Sequence, residues 1–166
     1  MKQPYVTKQM RDILTLANNY AEQNSTCKKT VVGCYLVDEG SDRRTVIAKG
    51  ANCGTENCKK IGCLREELYG SNSKEFRATC RCNHSEIDAL LRVPKDKEYM
   101  LEGATAFVTR YPCENCTRAL VTAGIKQIVY GRKFEMSPES LELCEKHGVK
   151  VVHLADWNCD ENDNNN

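Results

Sequence analysis

The sequence predicts an α/β domain of three layers, helix on sheet on helix, around a mixed central sheet of about five strands. Three observations carry this. Two β-branched runs, Val31–Val37 and Thr45–Ala48, flank the turn cluster Glu39-Gly40-Ser41-Asp42 and read as a hairpin. Beyond residue 83, apolar runs of strand length alternate with capped helical segments, the pattern of strands joined by crossover helices. The chain has 166 residues, enough for one domain with a proper core.

Taken in order, residues Pro4 to Glu22 place Val6, Met10, Ile13, Leu14, Ala17 and Ala21 at helical spacing, with Lys8, Arg11, Asp12 and Asn18 off that face. The hairpin follows. From about residue 50 to residue 83 the chain is polar, carries little periodicity and holds five cysteines, so it reads as a cysteine-rich insertion that something must tether. Ile87, Ala89, Leu90 and Leu91 make a short helix that has to stop near Pro94. Ala104–Thr109 is a buried strand, Cys113–Ala123 a helix closed by Gly124, and Ile128–Tyr130 a strand. Ser137-Pro138 caps and starts a helix that Gly148 ends, and Val149–Leu154 is the last strand. Residues 1–157 are therefore expected to form one domain, and 158–166 a disordered acidic tail.

Composition narrows the function. With 24 basic and 23 acidic residues the formal net charge is +1, so no overall field recruits nucleic acid or an anionic membrane. The basic pairs Lys28-Lys29, Arg43-Arg44, Lys59-Lys60 and Arg132-Lys133 are scattered among acids. No run approaches a membrane span and the N-terminus opens no signal peptide, so a cytoplasmic protein without membrane or nucleic-acid partner is expected. Eleven cysteines, an odd number in a chain of this length, point to metal rather than to a disulfide framework.

The chemistry concentrates in Asn83-His84-Ser85-Glu86, answered by Pro112-Cys113-Glu114-Asn115-Cys116. A lone Cys-x-x-Cys could be a redox pair or half of a structural zinc site, and a lone His-x-Glu means little. Together, in this order and each opening a helix, they form the zinc nucleobase-deaminase signature. One imidazole and two thiolates leave zinc a fourth position for water, the arrangement of a catalytic site. Glu86, two residues from the histidine, can carry protons without ligating the metal.

With these residues, the chain resembles the cytidine deaminase superfamily, and within it the deoxycytidylate (dCMP) deaminases. The likeness runs from about Cys27 to Leu154. It includes Val32-Gly33-Cys34, Gly50-Ala51-Asn52, Gly62-Cys63-Leu64-Arg65-Glu66-Glu67-Leu68, Cys80-Arg81, Glu102-Gly103-Ala104-Thr105 and Ala123-Gly124-Ile125-Lys126-Gln127-Ile128-Val129-Tyr130. The resemblance implies the cytidine deaminase-like fold, catalytic zinc on His84, Cys113 and Cys116, and Glu86 as proton shuttle. It implies that the Ser85 amide bonds the pyrimidine carbonyl. Asn52 is either a substrate contact or a turn residue closing a strand. Phe134 is either an aromatic stacked on the base or an ordinary core residue. A second, structural zinc is implied on Cys27, Cys58 or Cys63, and Cys80, with Cys53 and Cys82 as spare thiols nearby; Cys34, Cys144 and Cys159 are left as small core or surface residues.

The resemblance further implies hydrolysis of dCMP to dUMP, supplying the thymidylate precursor, by a homo-oligomer regulated by dCTP and dTTP. The alternatives are a zinc deaminase of another cytosine or adenine nucleotide or of nucleic acid, and a zinc-binding regulatory module without catalysis. Gly50-Ala51-Asn52-Cys53, Ser85, Asp88 and Tyr111 depart from the family's usual Gly-Tyr-Asn-Gly, alanine, asparagine and small polar residue. These departures bear on substrate choice rather than on the reaction. Lys28, Lys29 and the backbone of Asn52–Thr55 are the candidates for a substrate phosphate, against a reading of the lysines as plain surface charge.

Overall fold

The computed structural model describes residues 4–40, 44–70 and 79–157. The expected tail at 158–166 with Cys159, the Ser41-Asp42 part of the turn, and residues 71–78 of the insertion lie outside the described residues.

Helix α1 (Pro4–Asn24) leads into the antiparallel hairpin of β1 (Gly33–Asp38) and β2 (Thr45–Ala51), which is bulged between Leu36 and Val37. β2 thus runs further than its β-branched residues indicate and takes Gly50 and Ala51 into the sheet. Two short helices, α2 (Cys58–Ile61) and α3 (Leu64–Tyr69), lie in the insertion. Then come α4 (Ser85–Leu91), a 3-10 helix (Lys95–Leu101), β3 (Thr105–Val108), α5 (Glu114–Thr122), β4 (Gln127–Gly131), α6 (Pro138–Lys146) and β5 (Lys150–Leu154). The five strands stand in the order β2-β1-β3-β4-β5. β1 is antiparallel to both neighbours, while β3, β4 and β5 run parallel. The mixed five-stranded α/β architecture expected from the sequence is the one observed.

Period-two alternation sorts the strand residues between two cores. Tyr35, Val37, Phe107, Val129 and Val152 meet Met10, Leu14 and Ala17 of α1. Cys34, Leu36, Ala106, Val108, Ile128 and Tyr130 meet Ala89 of α4, Leu120 of α5 and Cys144 of α6. One helix therefore covers one face and three cover the other. Strands buried on both sides read as continuous apolar runs, which is why β3 was visible in the sequence. Gly124, at φ 97° just past α5, adopts the left-handed backbone that ends the helix without a Cβ clash.

Asn18 corrects the sequence reading. It was expected off the apolar face but is 2% exposed, and its Nδ2 donates to Glu22 Oε1 at 2.8 Å. Its position, four residues after Leu14 and three before Ala21, falls inside the buried stripe, and a partner one turn away lets the amide enter it. Among the described residues no helix is long and apolar enough to cross a membrane.

Candidate metal centre

Both halves of the motif stand where a helix begins. His84 is the N-cap of α4 and Cys113 the N-cap of α5, each with extended backbone and no side-chain cap bond. The side chains are thus left to point away from the helix they precede. The first amides of a helix carry partial positive charge, which favours thiolate over thiol at its start. Cys113 is anchored by its carbonyl, which accepts from Thr117 N at 2.8 Å and Thr117 Oγ1 at 2.9 Å.

The two halves converge. His84 Nδ1 lies 3.5 Å from Cys113 Sγ and 3.4 Å from Cys116 Sγ, and the three donor atoms all lie within 4.8 Å of one another. Tetrahedral zinc, with Zn–N near 2.05 Å and Zn–S near 2.3 Å, sets a nitrogen and a sulfur ligand about 3.6 Å apart. The donor set and its spacing therefore fit a zinc ion with three protein ligands. Cys116 is buried, and His84 and Cys113 are half-buried, so the centre sits at the rim of the core. The hydrogen bond from Cys116 and the neighbouring imidazole hold the Cys113 thiol far below its ordinary value, at about 4. The same hydrogen bond, then burial and the charge of Glu86, push Cys116 up.

Glu86 is 3% exposed beside this cluster. Burial pushes its carboxyl up, offset in part by its own backbone amide, by His84, and by the Ser85 hydroxyl, which donates to Glu86 Oε2 at 2.9 Å. Ser85 is itself fully buried. A carboxylate made more basic by desolvation, with one oxygen restrained, is suited to accepting and returning a proton.

The start of α4 is located by two features that the sequence reading missed. A Cβ on Gly50 would collide with the Ser85 carbonyl oxygen and the Ala89 amide, so α4 rests directly on the backbone of β2. Asp88, buried, accepts from Ala51 N at 3.0 Å and from Arg92 Nε at 2.9 Å through the same oxygen. The four-residue spacing of Asp88 and Arg92 was the available signal. Cys53, next along, is buried with Arg92 Nη2 3.8 Å from its sulfur, and its carbonyl accepts from Asn83 N at 2.9 Å.

The remaining expected residues fall as follows. Asn52 is buried and fully engaged inside the protein. Its Oδ1 accepts from Ser25 Oγ at 2.7 Å and Val32 N at 2.9 Å, and its Nδ2 donates to Thr30 O at 2.7 Å. Phe134 is 61% exposed, which removes the core alternative for that ring. Lys28 and Lys29 both reach Glu66, at 3.4 Å and 3.1 Å.

Among the described residues, Cys58 and Cys82 are the insertion thiols that meet, at 3.5 Å. Burial pushes Cys58 up, countered by the bond to Cys82 and reinforced by the charges of Cys27, Cys80 and Cys63. Cys82 is pushed up to about 12, again chiefly by burial. Cys27, Cys58, Cys63 and Cys80 are thus neighbours. Among the described residues, however, only His84, Cys113 and Cys116 form a set with all donor atoms inside 4.8 Å. Cys82, set aside as a spare thiol, is the one the structure brings to Cys58.

Residues 7–132 match the family described as the cytidine and deoxycytidylate deaminase zinc-binding region. The deoxycytidylate deaminase of Saccharomyces cerevisiae is 34% identical over 139 residues, 81% of this chain and 41% of that protein. That of Schizosaccharomyces pombe is 33% identical over 134 residues, 79% of this chain and 39% of that protein. The chain therefore spans about two fifths of the length of these curated relatives. In fold it is similar to the crystal structure of dCMP deaminase from the cyanophage S-TIM5 in complex with dCMP and dUMP. The TM-score is 0.62 at 23% identity, covering 93% of this chain and 100% of that one.

Proposed function

We propose that this chain, which belongs to the cytidine and deoxycytidylate deaminase zinc-binding family, hydrolyses dCMP to dUMP and ammonia. The observation that carries the reading is the donor triad of His84, Cys113 and Cys116 at zinc spacing with the buried Glu86 beside it. The yeast relatives that bear the name deoxycytidylate deaminase support the choice of dCMP. Zinc held by these three ligands would supply Lewis acidity and make water nucleophilic near neutral pH.

The chain's own residues do the rest. Glu86 takes a proton from the water that attacks C4 of the pyrimidine and delivers it to N3. It then moves the proton left on the added oxygen to the amine, so that the C4–N bond breaks and the C4 carbonyl forms. Its raised basicity favours the first transfer, and the Ser85 hydroxyl keeps one oxygen in place while the other works. The Ser85 amide, at the start of α4, donates to the pyrimidine carbonyl. The exposed ring of Phe134 is available to stack on the base. Asn52 contributes by holding Thr30 and Val32 in the loop ahead of β1, and a direct bond to substrate would compete with that role.

In the same proposal residues 1–157 are one deaminase domain, and the insertion at about 50–83 is tethered by a second, closed zinc site. Its donors come from Cys27, Cys58, Cys63 and Cys80, and the 3.5 Å contact with Cys58 supports adding Cys82 to that set. A cytoplasmic homo-oligomer responsive to dCTP and dTTP belongs to the proposal on resemblance alone. The test is a panel of dCMP, dCTP, deoxycytidine, cytidine and a tRNA offered to the purified zinc-loaded protein. dCMP should be the preferred substrate, and preference for tRNA would move the chain to nucleic-acid deamination.

A further inference from the structure

A nucleotide specialist must hold a phosphate, and the cations expected to do so are already occupied. Lys28 and Lys29 share Glu66 at 3.4 Å and 3.1 Å; Arg81, a further cation of the insertion outside that expectation, lies 3.0 Å from Glu56 and 3.6 Å from Glu67. The metal centre follows the carboxyl end of β3, which runs parallel to β4, and this is the edge at which open α/β sheets take their ligands. Arg110 and Arg132 stand there, each two residues beyond the paired Val108 and Tyr130. Arg132 is buried, and its guanidinium donates to Val31 O at 3.0 Å. Lys133 is exposed.

Arg110 differs from all of these. It is half-buried, and its guanidinium lies 5.5 Å from the centre of the Tyr111 ring. Among the described residues no carboxylate pairs with it. Only Tyr111 and Pro112 separate it from Cys113, a Cα span of at most about 11 Å, which a long side chain and a nucleoside can bridge. Resting on an aromatic face limits the rotamers of the guanidinium, and its planar fork matches two phosphate oxygens at once.

We propose that Arg110 binds the 5′-phosphate of the substrate and thereby sets the preference for a nucleotide over a nucleoside, an inference that rests on the dCMP reading above. The test compares kcat/KM for dCMP and for deoxycytidine in the zinc-loaded parent, Arg110→Gln, Arg110→Lys, Lys133→Gln and the double variant Lys28→Gln/Lys29→Gln. Arg110→Gln should lower the dCMP-to-deoxycytidine ratio by roughly tenfold or more, mainly through KM for dCMP, because a charged hydrogen-bonded pair is lost. Arg110→Lys should recover part of the ratio, since it restores the charge without the fork. The lysine variants should stay within about threefold of the parent, as exposed charges do. Loss of folded enzyme lowers both substrates together and leaves the ratio untouched. An unchanged ratio in Arg110→Gln, or a larger fall in either lysine variant, overturns the assignment. A parent that shows no preference for dCMP overturns the dCMP reading instead.

Discussion

The molecule gathers thiols twice, by different means. His84, Cys113 and Cys116 sit on the first turns of α4 and α5, and those helices pack on the sheet through Ala89 and Leu120. Their donor atoms stand at zinc spacing because the core puts them there. Cys27, Cys58, Cys63, Cys80 and Cys82 sit on loops and on the starts of two helices of four and six residues, and among the described residues one pair of their sulfurs meets. The difference teaches where each site's geometry comes from. The first is built by the fold, whereas the proposed second site would depend on an ion to draw its ligands together and would then stabilise the segment that carries them.

The largest expected effect breaks the first site alone. Cys116→Ser should remove one zinc per chain and bring dCMP turnover to background, while circular dichroism and the cooperative thermal transition remain. A collapse of the fold would mean that this cluster, too, depends on its ion. Next comes the second site. Metal analysis of unchelated protein should return about two zinc ions per chain, one open and one closed. Cys58→Ser should lose one of them. Hydrogen exchange should then accelerate in residues 52–70 and 79–83 while β3 and β4 keep their protection. One zinc in the parent, or unchanged exchange in the variant, would remove the second site.

A smaller effect tests what positions the first cluster. Asp88→Ala strands the buried Ala51 amide and removes the partner of Arg92, so it should cost about 1–3 kcal/mol in denaturant unfolding. Asp88→Asn keeps an acceptor for Ala51 and should cost less. Equal losses would mean that the Arg92 pair, not the clamp on β2, holds α4 in place.

The smallest effect is electrostatic. Burial raises the folded-state pKa of Glu86 above its unfolded value of about 4.3, so its stabilising contribution is present below that value. It is lost as pH rises through the folded pKa. In chelated protein Glu86→Gln should therefore be more stable than the parent at neutral pH, with the gap closing in acid. A gap independent of pH would contradict the buried-carboxylate reading.

The same contrast explains what could be read from sequence. Residue types at fixed spacing located the zinc motif, since the chemistry tolerates few substitutes. Apolar runs and the Ser137-Pro138 start located strands and α6, since those signals are local. Periodicity reports the face an element would bury, not which polar residue finds a partner inside it, so the burial of Asn18 was missed. The Asp88 clamp and the Cys58–Cys82 contact join segments far apart in sequence. The 3-10 helix at Lys95–Leu101 has no buried residue and hence no apolar pattern to betray it. Phe134 is exposed on the loop between β4 and α6, and an aromatic residue alone does not tell a core ring from a surface one.

The most direct measurement of the central claim is dUMP formation from dCMP by Glu86→Gln and by the parent at equal, measured zinc content. Glu86→Gln should keep its zinc and lose about 10²–10⁴-fold in kcat, because an amide cannot carry the proton. Turnover equal to the parent at equal zinc would take Glu86 out of the reaction, and with it the assignment of this cluster as the catalytic centre.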